Sequence, residues 1–360
     1  MIGIITPGNK KYTPYIENYL SILDSKNVEY KVMSWDKRNL VEDGVDMRFD
    51  YPINDSNRKK MVLGYIKFIK RCKSYIKKNE IDKLIILTAA PAFFMGLSYL
   101  SKFTGNFIFD IRDDSPFIRR FPKRFKKICA MAKTVVVSSG EFTPWTGRKT
   151  ILCHNADLEQ LRLHIDDEPT LGHQNPIRIV FAGVMIEGQC NVEVLKAFRN
   201  DSRFVHAFIG RDSIGKKIVQ NFVASIGMRN VTFDGAYNKE DIIDIYRGKA
   251  DLINIFRAKT TINRNALPNK LYEAVLAGRP IVVFEHNVAI SNYANKFNLG
   301  IVLPEEMNQM SEYVFNRIQS FDYNKYAEGR KLFLEQVDDD MKNYENAVIE
   351  FISSTGRFVS

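Results

Sequence analysis

The sequence lacks the features of several large classes of protein. Its most apolar stretch, residues 84–100, is split by Pro91. The sequence contains no run of about 18 uncharged apolar residues, the length that spans a membrane as a helix. The 4 cysteines in 360 residues are widely separated and form no Cys-x-x-Cys pair, so we expect reduced core thiols rather than a disulfide framework. The chain starts directly in an apolar strand pattern, and we therefore expect no signal peptide.

Motifs for metal binding, phosphate-loop binding and serine nucleophiles are also missing. The sequence has no Gly-x-Ser-x-Gly, no Walker loop and no Gly-x-Gly-x-x-Gly, which argues against hydrolases, P-loop NTPases and dehydrogenases. Its 5 histidines show no ligand spacing, so we predict no metal site and no cofactor. These histidines are His154, His164, His173, His206 and His286.

The composition is that of a globular protein with unevenly placed charge. Apolar residues make up 45% and charged residues 26% of the chain, whose 360 residues are enough for two domains. The net charge of +10 is concentrated in residues 58–78, with nine Lys/Arg and no acid, and in residues 115–140, with seven Lys/Arg and no acid. Such stretches suit nucleic acid, an anionic membrane surface or a phosphorylated substrate.

Strand and helix patterns alternate along the chain, and most strands are continuously apolar. This is typical of parallel sheets covered by helices on both faces. The rhythm stops in a polar linker, residues 166–175, and then starts again. We therefore predict an α/β protein with two doubly wound Rossmann-like domains facing across a cleft, residues 1–165 and 176–335. We expect residues 336–360 to form a C-terminal helix that returns to the first domain.

One stretch, residues 263–284, combines a polar loop, a helix and a buried strand. Proline is tolerated in the first turn of a helix, so the helix is predicted to start at Pro268, and Gly278 ends it before the strand Ile281–Phe284. Lys270 and Glu273 then lie one turn apart near the free amides of the helix start, which favour anions. This pair suits a ligand that carries both a phosphate and a diol, although a Lys/Glu pair is also common on surface helices.

The spacing Pro-x-Lys-x-x-Glu followed by Gly-x-Pro resembles the donor-site signature of GT-B glycosyltransferases, close to its form in bacterial cell-surface polysaccharide enzymes. The resemblance implies that Glu273 binds the ribose hydroxyls of a nucleotide-sugar. It also implies that Lys270 and the helix-start amides hold the diphosphate, with Asn269 and Leu271 beside them.

A second segment, residues 181–198, resembles the opening of the donor domain in that family, where a glycine turn approaches the diphosphate. Gly183 fits this role, although such a turn also occurs without any ligand. Val184 and Gln189 stand where the commoner family form has an arginine and a lysine. The phosphate cations are then expected elsewhere, and the candidates are Lys270, Arg257, Lys259 and Arg264.

The residue eight positions before Glu273 is Asn265, where retaining members of the family have an acid. The sequence is therefore more similar to the xanthan glucuronosyltransferase and teichuronic-acid type. We count Asn265 among the donor-site candidates.

A cluster of acids, FDIRDD, follows the strand near residue 107 and resembles the segment that holds the candidate base in those enzymes. A carboxylate at the end of a parallel strand is well placed as a general base. We predict Asp113 as the base and Asp110 as the second candidate. The alternative is a solvated loop with a helix N-cap at Asp114 or Ser115.

The second basic stretch also carries aromatic residues, among them Phe117 and Phe121. A helix with aromatic and cationic faces can lie in a membrane interface, so we predict a membrane or acceptor patch there. The alternative is a helix packed on the sheet with a solvated basic face. The patch residues are Arg119, Arg120, Lys123 and Arg124. The first basic stretch is predicted as a similar helix, with Val62, Ile66, Ile69 and Ile76 along one side.

Together these patterns predict a glycosyltransferase that moves a sugar from a UDP- or GDP-sugar to a lipid-linked saccharide in cell-surface polysaccharide synthesis. Capsule, exopolysaccharide or lipopolysaccharide would be the product class. Its expected place is the cytoplasm, peripherally on the inner face of the membrane, with the sugar nucleotide as substrate. The alternatives are a nucleotide-sugar 2-epimerase of the same fold and a basic nucleic-acid-binding protein. The latter lacks a recognised module, so we expect no nucleic-acid partner.

Overall fold

Two separate parallel sheets organise the chain. The computed structural model describes residues 1–53, 58–305 and 309–354. One unit consists of Met1–His154 with Asp339–Ser360, and the other of Asn155–Asp338. Every strand pair described within the two sheets is parallel. The central strands Ile2–Thr6, Lys83–Leu87, Phe107–Ile111 and Leu252–Asn254 are buried along their whole length because helices cover both faces.

Within the described residues the first unit has a seven-stranded sheet in the order β3-β2-β1-β4-β5-β6-β7. Its strands are β1 (Ile2–Thr6), β2 (Tyr30–Asp36), β3 (Met47–Asp50), β4 (Lys83–Leu87), β5 (Phe107–Ile111), β6 (Thr134–Val137) and β7 (Ile151–Leu152). Its helices are α1 (Glu17–Ser25), α2 (Arg58–Lys78), α3 (Ala89–Met95), α4 (Leu97–Leu100), α5 (Pro116–Arg120), α6 (Pro122–Met131) and α7 (Thr143–Thr146).

The second unit has a six-stranded sheet in its described part, in the order β10-β9-β8-β11-β12-β13. Its strands are β8 (Ile177–Ala182), β9 (Phe204–Ile209), β10 (Val231–Asp234), β11 (Leu252–Asn254), β12 (Ile281–Phe284) and β13 (Gly300–Leu303). The helices from here on are α8 (Leu158–His164), α9 (Gly188–Ala197), α10 (Ile214–Ile226), α11 (Ile242–Lys249), α12 (Thr261–Asn265), α13 (Asn269–Leu276), α14 (Val288–Lys296), α15 (Met310–Gln319) and α16 (Tyr323–Ser353).

The predicted α/β class with two doubly wound sheets is confirmed by these strand orders. In each sheet the first strand of the unit pairs on one side with the second strand and on the other with the fourth. The strand order therefore reverses between β1 and β4, and again between β8 and β11. Ligands of open α/β sheets bind at the carboxyl ends of the strands at such reversal points.

The boundary between the units lies earlier than residue 165, where the sequence pattern places it. The α8 helix belongs to the second unit because Arg330 of α16 donates hydrogen bonds to the carbonyls of His164 and Asp167, at 2.9 and 2.7 Å. Asn155, the first residue of this unit, donates to the carbonyl of Leu267 at 3.0 Å.

The last residues of α16 belong to the first unit, and Lys83 holds their end. Its buried ammonium donates to the carbonyls of Phe351 and Ile352, each at 2.7 Å. These are carbonyls of a last helical turn, which have no partner within the helix. Near the start of the same segment, the buried His154 ring contacts Asp340, with 3.1 Å between Nε2 and Oδ2.

The helix α2 packs on its sheet through Phe68, Ile69, Cys72 and Ile76, all of them buried. Val62 and Ile66, which the sequence pattern places on one side with Ile69 and Ile76, are instead exposed by 45% and 53%. Phe68, Cys72 and Ile76 follow one another at a spacing of four residues and define the buried side of the helix, which leaves Ile66 on the solvent side.

Candidate functional site

The turn after β8 places backbone beside a lysine side chain. Gly183 has a φ of +124°, a conformation open to glycine, and its amide donates to the carbonyl of Ile209 at 2.8 Å. A Cβ added to Gly183 would lie 3.0 Å from Nζ of Lys270. A side chain at position 183 would therefore crowd the Lys270 ammonium, and the positive φ disfavours it independently.

The start of α13 is fixed by burial on both sides of Pro268. Pro268 is the N-cap, Leu267 before it is buried, and Leu271 and Val275 pack their side chains into the core. The N–H groups of Asn269 and Lys270 have no acceptor within the helix because they lie in its first turn, whereas the Leu271 N–H donates to the Pro268 carbonyl at 3.1 Å. Asn269 is exposed. The sequence prediction of a helix over 268–276 agrees with the structure to within one residue.

The far end of α13 is held by Arg330. Its Nε donates to the carbonyl of Val275 at 2.7 Å and its Nη2 to the carbonyl of Leu276 at 3.3 Å. Gly278, at a φ of +65°, then turns the chain into β12. Both ends of the helix that carries Lys270 and Glu273 are thus tied to the second unit.

Lys270 and Glu273 are both half-buried, and burial shifts both toward their neutral forms. Burial lowers the pKa of Lys270, against the effect of Glu273, and Arg257 lowers it further. Burial also raises the pKa of Glu273, against the attraction of Lys270 and Lys239. The Lys270 ammonium lies 4.2 Å from the centre of the Phe181 ring, which adds a cation–π contact.

Two tyrosines face Glu273. The pKa of Tyr237 is raised to about 12, by burial first and then by the Glu273 charge. Burial followed by Glu273 also raises the pKa of the fully buried Tyr246. Lys239, next to Tyr237 in this edge of the unit, forms an ion pair of 3.0 Å with Asp157. Glu273 therefore lies in a poorly solvated place with a cation on either side, which suits a carboxylate that binds hydroxyl groups.

Arg257 and Asn265, the other donor-site candidates, lie on the segment after β11. Arg257 is half-buried, and its carbonyl accepts a hydrogen bond of 2.8 Å from Nε2 of His286. Asn265 is the last residue of α12 and is half-buried. Lys259 pairs with Glu305, and Arg264 is exposed.

A residue that the sequence pattern did not single out, Glu187, joins the two strand ends at the reversal point. Its carboxylate accepts from the Ala258 amide and from Nδ2 of Asn263, each at 2.6 Å. Asn191 and Asn254 form a second buried bridge, at 2.9 Å. The sequence signal for Glu187 was a carboxylate in the turn directly after β8. To interpret that signal, one has to know which strand lies beside β8.

In the first unit, Asp110 is completely buried at the end of β5. Arg112 contacts both of its oxygens, at 2.7 Å through Nε and 2.8 Å through Nη2, and the Tyr19 hydroxyl donates at 2.7 Å. Although burial opposes it, Asp110 raises the pKa of the Arg112 guanidinium well above its usual value. These contacts describe a paired carboxylate that holds β5, α1 and Arg112 together.

Asp113, three residues later, is exposed and lines a cleft of about 400 Å³, which we call the first-unit cleft. The cleft lies at the carboxyl ends of β1, β2, β4 and β5, including the reversal point between β1 and β4. It is lined by Pro7, Gly8, Asn9, Tyr12, Thr13, Tyr15, Lys37, Arg38, Tyr65, Thr88, Ala89, Ala90, Asp113, Asp114, Ser115 and Pro116.

Some side chains of the predicted basic patch are exposed, and others pack against neighbouring residues. Arg120 and Lys123 are exposed, whereas Arg119 contacts the buried Asp114 at 3.4 Å. Arg124 lies over the Phe93 ring at 3.9 Å and donates to the Phe93 carbonyl at 2.7 Å. Among the described residues, the structure contains no helix both long and apolar enough to cross a membrane.

Half-buried aromatic rings run between α2 and this patch. Tyr65 stacks on Phe94 at 5.0 Å, Phe94 contacts Phe117 at 5.4 Å, and Phe117 stacks on Phe93 at 4.7 Å. Phe121, exposed by 41%, completes the row 5.0 Å from Phe93. The alternation of aromatic and basic residues in the sequence thus produces one aromatic row with cations at its edge.

The comparisons with known proteins agree on the fold. No protein-family model and no curated protein sequence matches the chain. Among solved structures, it is similar to a glycosyltransferase from Rickettsia africae, with 16% identity, a TM-score of 0.66, and 98% of this chain and 99% of that chain covered. HepE of Anabaena, solved in complex with UDP-glucose, has 14% identity, a TM-score of 0.61 and coverage of 98% and 99%.

A third similar structure is the UDP-GlcNAc 2-epimerase of Neisseria meningitidis bound to UDP-GlcNAc, with 11% identity, a TM-score of 0.62 and coverage of 97% and 100%. The predicted likeness to GT-B glycosyltransferases is thereby confirmed at the level of the fold. At identities this low, structural similarity shows the fold and does not show an activity.

Proposed function

We propose that the protein is a glycosyltransferase that moves a sugar from a UDP- or GDP-sugar to a saccharide acceptor in cell-surface polysaccharide synthesis. One observation carries the proposal. Lys270 lies against the Gly183 turn, and Glu273 follows one helical turn later, at the carboxyl edge of the second sheet where its strand order reverses. The UDP-glucose in the HepE structure and the UDP-GlcNAc in the Neisseria epimerase structure show that other proteins of this fold bind nucleotide-sugars.

The donor half of the reaction follows from the electrostatics of α13. A diphosphate beside Lys270 and the free amides of the helix start would favour the charged lysine, whose pKa burial lowers in the free protein. Glu273 would accept hydrogen bonds from the ribose diol. Because Lys270, Arg257 and the amides at the start of α13 supply positive charge, we propose that no metal ion is needed. Sugar transfer should then be undiminished in the presence of a chelator.

The acceptor half is assigned to the first-unit cleft. Asp113 would remove the proton of the acceptor hydroxyl as its oxygen bonds to the anomeric carbon, while the bond to the diphosphate oxygen breaks. The nucleoside diphosphate leaves with the electron pair, stabilised by Lys270 and the helix amides. Asp110 is the weaker candidate because both of its oxygens are bound by Arg112 and one also by Tyr19.

The acceptor is proposed to be lipid-linked and reached from an anionic membrane at its inner face. The exposed Phe121 and the cations Arg120 and Lys123 have the aromatic and basic character of interfacial segments. Replacing Arg120 and Lys123 by glutamine should weaken binding to vesicles of phosphatidylglycerol and phosphatidylcholine by at least about tenfold, since each cation near such a surface contributes about 1 kcal/mol. The control replaces Lys217 and Lys331, exposed lysines outside both basic stretches, and equal losses in both variants would contradict the patch.

A 2-epimerase is the second candidate because one of the similar structures is the Neisseria epimerase. Both enzymes would bind the same nucleotide-sugar, so binding alone does not separate them. Incubation without acceptor does: an epimerase releases an isomerised nucleotide-sugar, whereas a transferase releases at most free sugar and nucleoside diphosphate.

The experiment that tests the proposal is a thermal-shift screen of UDP- and GDP-sugars, followed by NMR of the products with the sugar nucleotide that binds. We expect a rise in the unfolding temperature with one nucleotide series and no isomerised product. The absence of stabilisation by every nucleotide at millimolar concentration would overturn the function.

A further inference from the structure

The first-unit cleft has opposite charges at its two ends. Lys37 and Arg38 follow β2 at one end, and Asp113 and Asp114 follow β5 at the other. Between these strands lie β1 and β4, so the two ends are three strand spacings apart. At about 4.8 Å a spacing, the cations and the carboxylates are separated by roughly 14 Å. This length accommodates a saccharide of more than one ring.

The cationic end is held in place by buried hydrogen bonds. The Asp36 carboxylate accepts from the amides of Arg38 and Leu40, at 3.0 and 3.1 Å, and from Nδ2 of Asn9 at 2.8 Å. Asn9, itself buried, accepts at its Oδ1 a hydrogen bond of 3.1 Å from the Lys37 amide. The turns after β1 and β2 are therefore locked together, and Lys37 and Arg38 leave from a rigid backbone.

Aromatic rings support both cations. The Lys37 ammonium lies 4.6 Å from the Trp35 ring centre and 5.5 Å from that of Tyr65, and the Arg38 guanidinium lies 5.0 Å from the Tyr12 ring centre. Tyr12 is exposed by 52%, so its ring is accessible beside the cation. Aromatic faces next to fixed polar groups are typical of ligand clefts of this size.

The middle of the cleft contains a strained backbone. Thr88, at the end of β4, has a φ of +68° and a ψ of 164°, which a β-branched residue rarely adopts. Such a conformation costs on the order of 1–3 kcal/mol and is concentrated at binding and catalytic sites. The strained residue lies in the lining of the first-unit cleft, between its two charged ends, and it supports a binding role for the cleft.

We infer that the acceptor is an anionic saccharide, and that Lys37 and Arg38 bind its phosphate or carboxylate while the attacking hydroxyl lies at Asp113. The inference rests on the proposed function. It adds the chemical class of the acceptor and its orientation in the first-unit cleft. Asp113 repels an anion from its end of the cleft, so the charged group is on a different part of the acceptor from the hydroxyl that reacts. A phosphate at the reducing end of a lipid-linked sugar and the carboxylate of an acidic sugar both have this chemistry.

Two matched pairs of ligands test the inference and separate the two sources. Maltose 1-phosphate is compared with maltose, and p-nitrophenyl β-D-glucuronide with p-nitrophenyl β-D-glucoside, by ligand-observed NMR titration of the full chain with UDP present. We expect the anionic member of at least one pair to bind about tenfold more tightly, the effect of one charge-assisted hydrogen bond. The pair that shows it identifies phosphate or carboxylate as the preferred group.

Variants test whether the preference for the anionic ligand comes from the cationic end of the first-unit cleft. Replacing Lys37 and Arg38 by methionine should abolish this preference, and Arg38→Met alone should reduce it. Replacing Lys77 and Lys78 by methionine, which removes the same charge outside the cleft, should leave it intact. Stabilisation of each variant by UDP shows that the chain is folded.

Equal binding within both pairs, no binding of either anionic ligand, or a preference that survives loss of Lys37 and Arg38 would overturn the inference. The proposed function would still stand in those cases if UDP stabilises the native protein. Failure of both UDP and GDP to stabilise the native protein would instead remove the proposed function, whatever the ligand pairs show.

Discussion

The two sheets share one strand order but differ in the chemistry at their carboxyl edges. In the second unit, a half-buried lysine and glutamate lie on a helix whose two ends are fixed. In the first unit, an exposed carboxylate and two cations line an open cleft. The strand order determines where a site can form, and the loop residues determine what it can bind. Burial favours tight recognition of one fixed ligand, whereas an open cleft suits an extended one.

The largest effect is expected from the exposed carboxylate of the first unit. Asp113→Asn should reduce sugar transfer by about a hundredfold or more, because a general base typically contributes that much, while UDP binding stays unchanged. Transfer and UDP stabilisation are measured side by side. Asp43→Asn, an exposed acid of the same unit outside the cleft lining, is the control. Full activity of Asp113→Asn would remove it from the reaction.

Asp110→Asn should instead affect stability. The change leaves the buried Arg112 without its carboxylate partner, and breaking such a pair costs about 3–5 kcal/mol. Urea unfolding of the native and variant proteins measures the loss. An unchanged unfolding midpoint together with lost transfer would exchange the roles that we give to Asp110 and Asp113.

Acid should weaken the second sheet through His206 of β9. This ring is fully buried, and burial lowers its pKa to about 3, below the value of about 6.5 in the unfolded chain. The unfolded chain therefore binds the proton first, so stability is complete above pH 6.5 and falls as the pH falls toward 3. Between pH 7 and pH 5 we expect a loss of about 2 kcal/mol.

This dependence of stability on pH is checked by denaturant unfolding at several pH values, followed with a probe that reports on the second unit. His206→Leu should flatten it, whereas His173→Leu, in the linker outside the sheet, should leave it unchanged. An equal slope in all three proteins would show that other groups cause the acid sensitivity.

The smallest effect is expected at the glutamate of the second unit. Glu273→Gln keeps the shape but removes the charge that accepts from a diol, so the Kd for UDP should rise about tenfold. Isothermal titration measures it, with Glu240→Gln on the same unit as the control. A Kd equal to that of the native protein would count against the ribose contact.

Much of the second sheet was predictable because its strands are apolar runs bounded by glycine, proline and polar residues. The β12 strand has the predicted ends, Ile281–Phe284. The pattern does not predict β3, an edge strand of the first sheet, because Met47–Asp50 alternates in burial over only four positions. It does not predict β13, an edge strand of the second sheet, for the same reason.

The sites were predictable only where one helix supplies both groups. Lys270 and Glu273 are three residues apart, so helical periodicity alone brings them together. Glu187 with Asn263, and Asn9 with Lys37, are distant in sequence and meet because strands reorder in the sheet. No local pattern contains that information. The roles given to Asp113, Glu273 and the basic patch stay predictions.

The central claim is that the nucleotide binds at the edge of the second sheet and not at the first. Hydrogen exchange of the full chain with and without UDP tests it most directly, because it reports on both edges in one sample. We predict slower exchange in residues 183–188, 257–265 and 269–276 and unchanged exchange in residues 7–15 and 37–40. Protection of the first-unit cleft without protection at the start of α13 would contradict the claim.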